Sequence, residues 1–138
     1  MSGSVLIVDD DRDVSALVTD VLRDAAFTVS ELADMSPGAI HAEVARIEPD
    51  VVLLDGADKL GYGESWAGAA WLHERDRPIA VIMFTTSARD VVEAELGQSE
   101  RSRRAAFFGF VRKPFDLDAL LDVVTRAVDE PAAVLHLR

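Results

Sequence analysis

Apolar residues fall along this chain in two rhythms. Short unbroken runs, Val5 to Val8, Val51 to Leu54 and Ile79 to Phe84, alternate with stretches in which apolar positions return every three or four residues. Unbroken runs of this length predict strands buried on both faces of a parallel sheet, and the longer period predicts helices with one buried stripe. Val14, Leu17, Val18, Val21 and Leu22 make such a stripe on a helix expected from Arg12 to Ala25. Phe27 to Leu32 alternates apolar with polar residues, the pattern of a half-exposed strand at a sheet edge. Ser36-Pro37 opens the next helix, since Ser can cap free backbone donors and Pro fits the first turn; Ile40, Val44 and Ile47 form its buried face. Gly56 to Glu64 is polar and glycine-bearing, and predicts a loop.

A helix containing Trp66, Ala69, Ala70 and Leu72 is expected to end before Pro78. Arg89 to Ala106 is expected to be helical, as one helix or as two divided at Gly97-Gln98-Ser99. Phe107 to Val111 reads as the last strand. Leu117, Leu120, Leu121, Val124 and Val128 stripe a closing helix with Asp116 as its cap. Five strands alternating with helical patterns predict right-handed βαβ units and an α/β fold. The edge-like second strand favours, by match to a known order, the flavodoxin-like doubly wound five-stranded parallel sheet, order 2-1-3-4-5, with helices on both faces. Residues 1–130 are expected to form one domain and 131–138 a short C-terminal tail, with no output domain following.

Composition narrows the function classes. A net charge of −11 over 138 residues argues against nucleic-acid binding through a basic face. The absence of cysteine removes disulfides and thiolate chemistry. The first strand-like run follows Met1-Ser2-Gly3-Ser4 directly, and no apolar stretch approaches the roughly 18 residues of a membrane span, so a cytoplasmic protein is expected. Lysine is scarce, at Lys59 and Lys113 only, against twelve arginines.

The predicted topology turns these elements into chemistry. The first strand finishes on Asp9-Asp10-Asp11, the third on Asp55, the fourth on Thr85-Thr86-Ser87, and the fifth leads to Arg112-Lys113-Pro114-Phe115. Ligands bind such sheets at the carboxyl ends of the strands. With strands one and three adjacent, Asp9, Asp10 and Asp55 would meet, while Thr85 and Lys113 would reach the same rim. Clustered carboxylates repel one another, and a hard cation relieves that repulsion. Mg²⁺ takes one or two carboxylates directly, keeps several waters and completes its shell with phosphate oxygens. Lys113 adds positive charge, so the rim suits a dianionic group. Asp55 can then act as nucleophile toward phosphorus, with Thr85 as a hydroxyl donor.

These residues in this order resemble the receiver domain of two-component response regulators, over essentially the whole chain: Val8-Asp9-Asp10-Asp11, Leu53-Leu54-Asp55, Thr85 and Phe110-Val111-Arg112-Lys113-Pro114-Phe115. The resemblance implies a stand-alone receiver that accepts a phosphoryl group on Asp55, in a Mg²⁺-dependent reaction, from a sensor histidine kinase or phosphotransfer protein. It implies Asp10 as a direct metal ligand, Asp9 as a mainly water-mediated one, and a contact from the Ala57 backbone carbonyl. Thr85 and Lys113 would bind the phosphoryl group, Thr85 and Phe110 would form the switch, and the peptide bond before Pro114 would be cis. A downstream protein target and a phosphorylation-dependent homodimer complete the implied partners, with no membrane contact.

The sequence departs from the family in two places. The loop Gly56-Ala57-Asp58-Lys59-Leu60-Gly61-Tyr62-Gly63 lacks the usual Met-Pro, and the segment from Thr85 to Lys113 is longer than usual. The altered loop keeps open a degenerate receiver that binds a partner constitutively. Asp9-x-Asp11 keeps open a haloacid-dehalogenase-like phosphohydrolase using Asp9, although Asp13 stands where that superfamily has a small Thr or Val. Blander roles weigh beside these: Asp9 and Asp10 as helix caps, Phe110 as core, and Arg101, Arg103 and Arg104 as a solvated face or a partner surface. His41, His73 and His136 are scattered and take no role.

Overall fold

Five parallel strands, β1 (Ser4–Val8), β2 (Thr28–Leu32), β3 (Val51–Asp55), β4 (Ala80–Thr85) and β5 (Gly109–Arg112), form one sheet in the order β2-β1-β3-β4-β5. The computed structural model describes residues 3–34, 36–55, 79–85, 109–112 and 116–129. Three helices lie within them: α1 (Arg12–Asp24), α2 (Pro37–Ile47) and α3, the closing helix (Leu117–Asp129). The helices expected between residues 56 and 78 and between 89 and 106, and the tail from 131, fall outside the described residues.

Alternation along the unbroken apolar runs builds two cores at once. Val5, Ile7, Val51, Leu53, Ile82 and Phe84 pack with Val18 and Leu22 of α1 and with Leu120, Val124 and Ala127 of α3. Leu6, Val8, Val52, Leu54, Val81 and Met83 pack on the other face with Ile40 and Val44 of α2. Successive side chains of a strand point to opposite faces, so a strand between two helix layers must be apolar throughout. β2 instead lies at the sheet edge, and its Thr28 and Glu31 are exposed. The Arg23 guanidinium donates to the Val29 carbonyl at 3.3 Å, covering part of that edge.

The buried face of α1 differs from the apolar stripe read in the sequence. Leu17 is 50% exposed, whereas Ser15 and Thr19 are buried beside Val18 and Leu22. Apolar periodicity does not register a small hydroxyl side chain that faces the core. Thr19 Oγ1 is buried with no hydrogen-bond partner among the described residues. An unmade buried hydrogen bond costs about 1–3 kcal/mol, so Thr19→Val, nearly isosteric, is expected to raise the unfolding free energy by about 1 kcal/mol. A urea melt in which the variant is less stable than the wild type would overturn this reading of Thr19.

Helix ends follow local chemistry. Past α1, Ala26 adopts a left-handed φ of 70°. There the Ala26 N–H donates to the Arg23 carbonyl at 2.9 Å, and the Phe27 N–H to the Leu22 carbonyl at 3.0 Å. This is the paired closure that satisfies otherwise free carbonyls, with Phe27 and Leu22 in the same core cluster. Ahead of α2, the Ser36 hydroxyl accepts from the Ala39 N–H at 3.3 Å, and Asp34 accepts from the Ser36 N–H at 2.9 Å. Those bonds from Ser36, its backbone N–H first and its hydroxyl second, hold the exposed Asp34 carboxyl below its ordinary value.

Opposite the strands' carboxyl ends, Asp50 ties the base of the sheet. Its Oδ2 accepts from the Ser4 N–H at 2.9 Å, and its own N–H donates to the Ser4 carbonyl at 2.8 Å. Gly3 sits against this clamp. A methyl group there would lie 2.8 Å from both γ-carbons of Val128 and 3.0 Å from Asp50 Oδ2. Gly3→Ala must therefore push α3 or Asp50 away, and we expect a loss of about 1–3 kcal/mol in chemical denaturation. Unchanged stability would mean that α3 does not press on the sheet at Val128.

Candidate metal centre

The pairing register carries the site. Val8 pairs with Leu54 across β1 and β3, so the next residues along the two strands, Asp9 and Asp55, stand level. Adjacent strands lie about 4.8 Å apart, which brings the two side chains to neighbouring positions at the carboxyl edge. Asp9 and Asp55 are 1% and 5% exposed, while Asp10 is exposed. One carboxylate oxygen from each of Asp9, Asp10 and Asp55 lies within 4.8 Å of the other two.

Asp9 is held from two directions. Its backbone N–H donates to the Leu32 carbonyl at 3.1 Å, prolonging the β1–β2 ladder by one residue. Its Oδ1 accepts from the Asp11 N–H at 2.9 Å. Asp11 turns the other way: its Oδ1 accepts from the N–H groups of Asp13 at 3.0 Å and Val14 at 3.2 Å, capping α1. The run of three aspartates thus divides into a pair clustered with Asp55 and a helix cap. This corrects the alternative in which Asp9 and Asp10 serve as the caps. The same contacts place Asp11, the second acid of the phosphohydrolase reading, on the first turn of α1. The cap was legible in principle: an Asp immediately before an apolar-periodic run is a helix-start signal. Between the first turn of α1 and the end of β2 opens a cleft of about 220 Å³ lined by Asp9, Arg12, Ser15, Glu31, Leu32 and Ala33.

The remaining expected residues are placed by their backbones or not at all. Thr85 closes β4 one position beyond Phe84, the partner of Asp55, and pairs with Arg112 at the end of β5. Phe110 pairs with Met83, two residues before that end. Ala57, Lys59, Lys113 and Pro114 lie outside the described residues, as do the altered loop 56–63 and Arg101, Arg103 and Arg104.

The donor set fits Mg²⁺. All three groups are hard oxygen donors, and two are buried on adjacent strands. At a metal–oxygen distance of about 2.0–2.1 Å, opposite oxygens of an octahedron lie about 4.2 Å apart. The observed limit of 4.8 Å needs little closure to share one ion, and less if one carboxylate binds through water.

Residues 5–125 match the response regulator receiver domain. The nitrogen assimilation regulatory protein NtrX of Azorhizobium caulinodans is 30% identical over 132 residues, which cover 94% of this chain and 27% of that protein. The DNA-binding response regulator MtrA of Mycolicibacterium smegmatis is 30% identical over 141 residues, 99% of this chain and 57% of that protein. The chain therefore spans little more than half, or about a quarter, of the length of these relatives. Among solved structures, a putative response regulator from Chloroflexus aurantiacus superposes with a TM-score of 0.74 at 19% identity, covering 94% of this chain and all of that one. The chemotaxis response regulator CheY4 of Vibrio cholerae gives 0.72 at 20% identity, with coverages of 91% and 98%. At these identities the superpositions show a shared fold.

Proposed function

This chain belongs to the response regulator receiver domain family, and from that premise we propose that residues 1–130 form a receiver unit phosphorylated on Asp55 in a Mg²⁺-dependent reaction. The observation that carries the proposal is the convergence of Asp9, Asp10 and Asp55 within 4.8 Å at the carboxyl ends of the two central strands. The phosphodonor is a phosphohistidine on a sensor kinase or phosphotransfer protein. An Asp55 carboxylate oxygen forms the bond to phosphorus while the bond from phosphorus to the donor's imidazole nitrogen breaks. The bonding pair leaves on that nitrogen, which takes up a proton.

Asp9 and Asp10 would hold Mg²⁺ together with Asp55 and the Ala57 carbonyl; bound there, the ion neutralises carboxylate and phosphoryl charge. Burial of Asp55 keeps the nucleophile oriented and restricts competing water. Lys113 and Thr85 would receive the phosphoryl oxygens. The resulting acyl phosphate shifts a two-state equilibrium in which Thr85 moves toward the phosphoryl group and Phe110 turns inward, altering a partner-binding surface. The chain catalyses only its own phosphorylation and dephosphorylation, acts in the cytoplasm and, at a net charge of −11, engages protein partners and not nucleic acid. Among the described residues no helix is long and apolar enough to cross a membrane. Intact-mass measurement of wild type and Asp55→Asn after treatment with a small phosphodonor tests the proposal.

A further inference from the structure

We propose that Asp11 is a positioning residue for the metal centre, acting through the backbone between β1 and α1. The inference rests on the reading of Asp9, Asp10 and Asp55 as Mg²⁺ ligands. Asp9 and Asp55 are carried by adjacent, hydrogen-bonded strands, and their separation is set by the sheet. Asp10 has no such support: it is exposed and lies in a bend between the last strand position and the first helical residue.

Asp11 fixes that bend at both ends. Its side chain is locked onto the first turn of α1 by the Asp13 and Val14 N–H groups, with its own backbone extended at φ −84° and ψ 104°. In that conformation the Asp11 N–H points back to Asp9 Oδ1 at 2.9 Å. One residue therefore anchors the helix and orients the buried ligand, and the path of Asp10 between them follows. Partners of metal ligands act in this way generally, by holding a ligand in its binding orientation.

The test is a Mg²⁺ titration of the whole chain, followed by calorimetry and by the amide NMR shifts of residues 9–14. Loss of an orienting partner typically weakens metal binding 10–100-fold, and Asp11→Ala is expected to weaken Mg²⁺ binding by about tenfold. Asp11→Asn keeps a strong cap without the charge and is expected to bind within about twofold of wild type. Asp11→Gly, which occupies a cap position at little cost in stability but offers no side-chain acceptor, is expected to bind as weakly as Asp11→Ala. Thermal melts without Mg²⁺ separate the stability of each variant from its affinity. Wild-type affinity in both Asp11→Ala and Asp11→Gly overturns the positioning role alone. Equal weakening in Asp11→Asn overturns it in favour of a charge effect. A wild type that does not bind Mg²⁺ overturns the metal-centre reading itself.

Discussion

Incubated with a small phosphodonor and Mg²⁺, the wild-type chain is expected to gain the mass of one phosphoryl group, and Asp55→Asn to gain none. The effect is all or nothing, because the amide of Asn presents no anionic oxygen to form the bond to phosphorus. Asn is the informative replacement since it preserves shape at a position 5% exposed, beside Phe84, whose side chain is fully buried. A truncation would instead disturb the packing of β3 on β4. Addition without Mg²⁺ should be much slower, for the carboxylates around Asp55 oppose the approach of an anionic donor. Retained mass gain in Asp55→Asn would remove Asp55 as acceptor. A wild type that gains nothing would favour a constitutive interaction module, and Asp9-dependent turnover of a phosphomonoester would favour a phosphohydrolase.

Mg²⁺ alone is expected to stabilise the folded chain, by about 2.7 kcal/mol when present at a hundred times its dissociation constant. The physical source is local. Two like unit charges 4.8 Å apart, the outer limit for the Asp9, Asp10 and Asp55 oxygens, repel by about 3 kcal/mol at an effective dielectric constant of about 20. Unfolding separates the two strands that hold these groups together, so an ion that bridges them binds the native chain far better than the unfolded one. Urea melts at matched ionic strength, with NaCl balancing MgCl₂, distinguish this from general screening. Asp9→Asn and Asp55→Asn should each need a higher Mg²⁺ concentration for the same stabilisation. A full Mg²⁺ response in both variants would place the ion elsewhere.

Much of the architecture was open to a reading of the chain. Val51 to Leu54 reads as a strand covered on both faces, and it is one, with Val51 and Leu53 on one core and Val52 and Leu54 on the other. The alternation of Phe27 to Leu32 marked the edge strand. α1 departs from its pattern: Leu17 belongs to the apolar stripe of the sequence yet lies half in solvent. A helix docks by the shape of its whole surface, and Ser15 and Thr19 contribute to the buried side without contributing to a hydrophobic count.

The carboxylate cluster divides along a similar line. Carboxylates at the ends of two buried strands are legible in the chain, because strand burial and strand termini are local properties. The chain also supported a sheet order that would bring them together. Which two of Asp9-Asp10-Asp11 cluster with Asp55 and which one caps α1 came from the three-dimensional fold alone. The β1–β3 register sets Asp9 level with Asp55, while the start of α1 turns Asp11 back onto the helix. Three identical side chains in a row have identical chemistry until the backbone leaving the strand is bent into the helix, and that bend gives each carboxylate its direction.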